Sequence, residues 1–324
     1  MESERFKGND MNSKKANWAF LITIAAYLGM TILIALFFPA VAENLVLSNL
    51  ICETVLLLPI LLFLFTSRDS VGMFFPFHKI KFTSVLMIGL FTFLSVPFLT
   101  LLNLFSQLWV DNEVALAMEN LQITEMPFGL VFLSMAIIAP VFEEVICRGA
   151  YYNSYRKSSG AFKGMVLSAL IFALFHMNFN QASYAFVMGV MAVLLVEATG
   201  SLWSSILYHG FINGSQVILM YTVMKDNPSL YTEQAELMTT DVMLYGIGAY
   251  LLIVAVTLPL AWAVLVWISK NEKKEEALSA VWRKRKEKKD KIVTVPLVLG
   301  LILCAAGISG IFFQLVLKVL ECTL

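Results

Sequence analysis

Long apolar stretches alternate with short polar ones along this 324-residue chain. The stretches approach or exceed the roughly 20 residues that a helix needs to cross a bilayer. They are continuously apolar rather than alternating, which favours helices over a barrel. The pattern predicts an all-α, polytopic membrane helix bundle with about eight to nine transmembrane helices. The predicted spans are 18–40, 44–66, 82–106, 127–150, 162–180, 182–198, 201–223, 243–268 and 292–317.

Composition supports a membrane protein. The chain is 59% hydrophobic and 14% charged, with a mean hydropathy of +0.78, whereas a soluble domain carries about 25% charged residues. The first apolar run is too long for a signal-peptide core and is interpreted as a retained span. The four cysteines are scattered and predict neither a disulfide framework nor a zinc-binding motif. We therefore expect the lipid bilayer as a partner, and no nucleic acid.

Basic residues are concentrated in alternate loops. If the N-terminus is cytoplasmic, 21 of the 23 lysines and arginines fall on the inner side, and the exceptions are Lys225 and Lys318. The outer loops 107–126 and 224–242 are acidic. The positive-inside rule therefore predicts a cytoplasmic N-terminus and a strongly basic cytoplasmic loop at 270–291.

Six ionisable or amide residues lie within three of these apolar segments. A charge near the centre of a bilayer costs at least ~2.5–3.5 kcal/mol, so such residues usually line a wet functional cavity. At 1.5 Å per helical residue, four of them are predicted to lie within about 6 Å of the midplane. These four are Glu143, His176, His209 and Asn213. We expect them to form one site. The six residues are Glu143, Glu144, Arg148, His176, His209 and Asn213.

Helical spacing assigns these groups to faces. Glu144 and Arg148 are four residues apart and are expected to form an ion pair that holds local structure. Glu143 is rotated from Glu144 by about 100° and is left for chemistry. A carboxylate and an imidazole sharing a water can act as a general base, while His209 and Asn213 can stabilise an oxyanion. The set predicts hydrolysis of an amide bond without a covalent intermediate.

Other interpretations remain open on the residues alone. A histidine such as His176 often only forms a hydrogen bond between membrane helices. Two histidines and a carboxylate could bind zinc, although no HExxH motif occurs. Cys147 is interpreted as a packing residue because it has no obvious histidine partner. Glu53 and Glu197 are further ionisable residues in spans, and they keep a transporter hypothesis open.

Three motifs in order resemble a known family. Residues 139–149 read APVFEEVICRG and match EExxxR, residues 172–176 read FALFH and match FxxxH, and residues 209–213 read HGFIN and match HxxxN. This arrangement resembles the CAAX-protease and bacteriocin-processing family of intramembrane glutamic endopeptidases over about residues 127–220. One departure is Cys147, at a position that is often aromatic in bacterial members.

The resemblance implies specific roles for these residues. Glu143 and His176 would activate water, His209 and Asn213 would stabilise the oxyanion, and Arg148 would support the glutamate. Glu144 completes the implied catalytic set, and no cofactor or metal is implied. The chain then divides into N-terminal helices at 1–126, a catalytic membrane core at 127–223 and C-terminal helices at 224–324.

The resemblance also limits the expected function. The substrate would be a peptide or protein at the membrane, with a prenylated and a leader-bearing substrate both open, and the protein would be multi-pass in a bacterial plasma membrane. The alternative is a non-catalytic membrane scaffold or bacteriocin self-immunity protein of the same fold. A zinc-dependent protease and a transporter are less favoured.

Overall fold

The computed structural model describes residues 11–67, 69, 71–112, 123, 126–224, 239–285, 291–312 and 314. Within these residues the regular secondary structure is entirely helical. The helices are α1 (Ser13–Phe37), α2 (Pro39–Ala42), α3 (Leu45–Phe65), α4 (Val71–Phe74), α5 (Phe82–Ser106), α6 (Phe128–Ser159), α7 (Ala161–Phe175), α8 (Phe179–Thr199), α9 (Leu202–Met224), α10 (Thr240–Asn271), α11 (Glu275–Arg283) and α12 (Val295–Ile308).

The helices confirm the prediction of a polytopic membrane bundle. Six of them, α1, α3, α5, α6, α8 and α10, are long and apolar enough to cross a membrane, and α7 and α12 are shorter apolar helices. The more polar α9 corresponds to the seventh predicted segment. Each of the nine predicted segments thus contains a helix. Parts of the basic loop and of the last segment, including 286–290 and 315–317, lie outside the described residues.

The boundary between the fifth and sixth segments differs from the prediction. Helix α7 ends at Phe175, and a tight turn over residues 176–178 leads into α8. Met177 has a positive φ of 49°, and the Asn178 side chain caps α8 by accepting a hydrogen bond from the Gln181 backbone N–H. Hydropathy alone placed the break near residue 181, because Phe179 prolongs the apolar run past the cap. His176 therefore lies at the end of a helix rather than within one.

Helix α6 is long and irregular. It extends beyond the predicted end of the fourth span at residue 150 and reaches Ser159, where Gly160 ends it with a φ of 92°. Two stretches, Leu133–Ile138 and Val145–Tyr152, are π-helical and flank a short α-helical turn that contains Pro140. Proline supplies no backbone N–H, and π-helical turns are frequent at functional sites. The residues around Glu143 thus lie where the helix changes register.

The segments predicted to be cytoplasmic meet at one end of the bundle. The Ser13 backbone N–H donates to Ser158 Oγ at 2.9 Å, and the Ser13 hydroxyl donates to the carbonyl of Lys291 at 3.4 Å. Lys157 pairs with Asp69 at 2.6 Å. These contacts join four segments that the charge pattern places on the same side. The assignment of that side to the cytoplasm stays a prediction.

Candidate active site

The candidate site is built on α6, which packs against α3, α7 and α9. Glu144 and Arg148 form the ion pair expected from their spacing, with Arg148 Nη1 donating to Glu144 Oε1 at 2.8 Å. Both side chains are completely buried. A buried charge is stable only when it is paired and hydrogen-bonded. Neither charge of this pair is therefore available to act as a free acid or base.

Glu144 also connects α6 to α9. His209 Nδ1 lies 2.9 Å from Glu144 Oε1, and the side chain of Ser205, one turn earlier on α9, lies close enough to act on Glu144, although its hydroxyl donates to the carbonyl oxygen of Leu202. An ionised carboxylate can only accept hydrogen bonds, so His209 Nδ1 carries the proton and donates it. The opposite ring nitrogen, Nε2, remains for another partner. Sequence reasoning missed Ser205, although its spacing of four from His209 places both on one face.

The phenyl ring of Phe172 brings three of the predicted residues together. The Arg148 guanidinium lies over the ring at 4.2 Å from its centre. The rings of His176 and His209 contact it at centroid distances of 5.0 and 5.6 Å, both nearly perpendicular. Cation–π stacking and edge-to-face contacts are favourable geometries for these groups. The two imidazoles, from the end of α7 and from α9, therefore flank one aromatic side chain.

His176 is oriented by the helix that it terminates. Its Nδ1 lies 2.8 Å from the carbonyl oxygen of Phe172. A carbonyl can only accept, so Nδ1 holds the hydrogen and Nε2 has a free lone pair. This tautomer is the one that a general base requires. The residue as a whole is only partly buried.

Glu143 has surroundings unlike those of Glu144. It is partly buried, and none of the ion pairs among the described residues involves it. Its charge acts on His176 more strongly than any other charge does. The carboxyl group of Glu53, on α3 where that helix packs against this part of α6, lies close enough to interact with that of Glu143. The sequence left Glu53 unexplained, and the structure places it beside the acid expected to perform chemistry.

Asn213 lies one turn along α9 from His209. Its Nδ2 donates to the carbonyl oxygen of Met135 at 3.0 Å, in the first π-helical stretch of α6. The two helices approach closely there, because a Cβ on Gly210 would lie 3.0 Å from the carbonyl oxygen of Ala136. The hydrogen bond of Asn213 thus goes to α6 rather than to either imidazole. One N–H of its amide group remains for a further acceptor.

Residues 125–215 match a family model described as "Rce1-like: Type II CAAX prenyl endopeptidase Rce1-like". The predicted family resemblance is therefore confirmed. The Rce1-like segment contains all three motifs, and the family is one of CAAX-type membrane proteases. It begins after α3, so Glu53 lies outside it. No curated protein and no solved structure matches the chain.

The remaining polar residues have structural surroundings. Cys147 is completely buried within the Rce1-like segment, as expected of a packing residue. Glu197 accepts hydrogen bonds from the Tyr152 hydroxyl at 2.7 Å and from Arg156 at 3.2 Å, so it belongs to a polar cluster near the end of α6. In the part of the chain that the structure describes, no three His, Cys, Asp or Glu side chains are grouped so that they could hold a metal ion.

Proposed function

We propose that this protein is an intramembrane endopeptidase of the glutamic type. The observation that carries the proposal is the difference between two adjacent glutamates. Glu144 is completely buried and engaged by Arg148 and His209, whereas Glu143 is partly accessible and interacts with the neighbouring His176. An acid without a cationic partner, beside an imidazole with a free lone pair, suits the activation of water.

In the proposed reaction, a water molecule lies between Glu143 and His176 Nε2. One of these groups removes a proton from it, and the water oxygen bonds to the peptide carbonyl carbon. The carbonyl oxygen becomes negative, and His209 Nε2–H and the Asn213 amide donate hydrogen bonds to it. The C–N bond then breaks as the removed proton passes to the leaving nitrogen.

The role of His209 follows from its partner. Donation from both ring nitrogens requires an imidazolium ion, and Glu144 stabilises that positive charge through Nδ1–H. Arg148 in turn compensates the charge of Glu144. The buried pair is thus proposed to position and charge the oxyanion donor rather than to attack the substrate.

The proposed substrate is a peptide at the membrane, either prenylated or leader-bearing, and the proposed location is a bacterial plasma membrane. The family description names a prenyl endopeptidase. A site within a helix bundle is reached by a peptide whose anchor lies in the same bilayer. The comparison of a prenylated peptide with its unprenylated form will distinguish the two substrate classes.

The test is cleavage of such peptides by the purified protein in lipid vesicles, followed by mass spectrometry of the products. We expect Glu143→Gln to lower the rate by at least about 100-fold, the usual contribution of a general base. Glu43→Gln, on the exposed Glu43 just before α3, is the matched control and should cleave at the normal rate.

Three results would contradict the proposal. Full activity of Glu143→Gln would exclude its proposed role. Loss of cleavage with a chelator and its return with zinc would favour a metalloprotease. Solute flux across vesicles without cleavage of any peptide tested would favour a transporter.

A further inference from the structure

Glu53 is a buried acid that the proposed reaction does not use. It lies near the middle of α3, is 4% exposed and falls outside the segment that matches the family. A charged residue at membrane depth costs several kcal/mol unless a partner compensates it. Helix α3 packs against α6 around Glu143, which is where that partner is found.

The partner is another carboxyl group. The carboxyl groups of Glu53 and Glu143 lie close enough to interact where α3 packs against α6. A carboxylate can only accept hydrogen bonds, so the two groups can bond to each other only if one of them carries a proton. Among the described residues, no Lys, Arg or His forms an ion pair with Glu53. Its Oε2 is also buried without an N–H or O–H donor. A second negative charge at this position would have no compensation.

Burial and the neighbouring charges indicate which acid holds the proton. Glu53 is the more buried of the two, and burial favours the neutral form. Glu143 is only partly buried, so water can solvate a negative charge on its carboxyl group. The other titratable groups whose charges act on either acid or on His176 are Cys52, Tyr27, Cys147, His209 and Arg148.

We propose that Glu53 is a positioning residue whose protonated carboxyl donates a hydrogen bond to the Glu143 carboxylate. It keeps its proton throughout the reaction. The hydrogen bond keeps Glu143 ionised and fixes the direction in which its other lone pairs point. This inference rests on the proposed role of Glu143 as a base, but the proton on Glu53 can be observed without any substrate.

The first test is infrared difference spectroscopy of the whole protein in lipid vesicles at neutral pH. The carbonyl stretch of a protonated carboxylic acid is expected in the wild-type protein and absent from Glu53→Gln. It should persist at a shifted frequency in Glu143→Gln, and Glu43→Gln should leave it unchanged. Identical spectra for the wild type and Glu53→Gln in this region would overturn the proposal, whatever the protein cleaves.

The second test compares two substitutions in the cleavage assay. Glu53→Gln retains an N–H donor, so we expect kcat/KM within a few-fold of the wild type and a normal acid limb of the pH profile. Glu53→Leu lacks the donor and should lower kcat by about 10- to 100-fold, the effect of losing a hydrogen bond to a charged group. Its KM should not change, and its acid limb should move to higher pH.

A purely structural role for Glu53 predicts a different outcome. In that case Glu53→Leu would fold, cleave and titrate like the wild type, and that result would refute the proposal. If Glu53→Leu does not fold, Glu53→Gln and its infrared spectrum still decide the question. A protein whose Glu143→Gln variant cleaves normally but whose carboxylic acid band is lost in Glu53→Gln would disprove the proposed function and leave the shared proton intact.

Discussion

Replacement of Arg148 by methionine tests the buried ion pair directly. Arg148→Met keeps a long, flexible side chain but removes the charge that neutralises Glu144 at 2.8 Å. The Glu144 carboxylate remains completely buried with His209 as its one ionisable partner among the described residues. Breaking a buried pair by removing one partner costs about 3–5 kcal/mol. We expect Arg148→Met to lower the free energy of unfolding by an amount near the bottom of this range.

The part of this loss that comes from Glu144 has an upper bound set by protonation. A glutamic acid in water has a pKa of about 4.3, and each pKa unit equals about 1.4 kcal/mol, so keeping one protonated at pH 7 costs about 3.7 kcal/mol. The variant cannot lose more than this through Glu144, because the carboxyl group can take up a proton on folding. Loss of the stacking on Phe172 adds up to about 2 kcal/mol. The part of the stability loss that is due to Glu144 should become smaller as the pH falls from 7 towards 4.

The assay is denaturant unfolding of the purified protein in mixed micelles at pH 7 and pH 5. Glu144→Gln combined with Arg148→Met removes both charges and should be less destabilising than Arg148→Met alone. Arg283→Met is the control, because the Arg283–Glu276 pair is exposed and such pairs contribute about 0–1 kcal/mol. The reasoning is refuted if Arg148→Met loses no more stability than Arg283→Met. It is also refuted if the double variant loses as much stability as Glu144→Gln and Arg148→Met lose separately when their losses are added.

Three further substitutions test the packing and the oxyanion donor. Gly189→Ala should destabilise by about 1–3 kcal/mol in the same unfolding assay, because its Cβ would lie 2.9 Å from Ala169; Gly248→Ala, where nothing lies within 4 Å, is the control. Asn213→Leu should lower kcat by about 100- to 1,000-fold with a normal fold, measured by peptide cleavage and circular dichroism. Phe172→Ala should cost about 3–5 kcal/mol of stability, and a loss below 1 kcal/mol would show that the ring does not organise the site.

The sequence predicted the contacts that depend on helical spacing alone. Glu144 and Arg148 are four residues apart on one helix, so their pairing required no knowledge of the neighbouring helices. The same holds for the position of Phe172 one turn before His176, which the structure shows as a ring contact at 5.0 Å. Hydropathy likewise located every apolar segment, because a membrane helix has to be apolar along its length.

Contacts between helices were not predictable in the same way. Nothing in the local pattern indicates that Glu144 accepts from His209, or that Glu53 faces Glu143 across the α3–α6 interface. These contacts depend on helix rotation and on the register of α6, which its π-helical turns change in the middle of the span. The end of α7 was misplaced for a related reason, since the cap at Asn178 is a hydrogen-bond feature that hydropathy does not detect.

The charges of the proposed resting state balance within the site. Glu143 and Glu144 carry two negative charges, Arg148 and a protonated His209 carry two positive charges, and Glu53 is neutral. A protein interior of low dielectric strongly penalises any net charge that remains unpaired. Transfer of a proton from water to Glu143 or His176 then moves charge within the site without changing its sum. An ionised Glu53 would add an unpaired negative charge to the site, so the proton proposed on Glu53 is part of this balance.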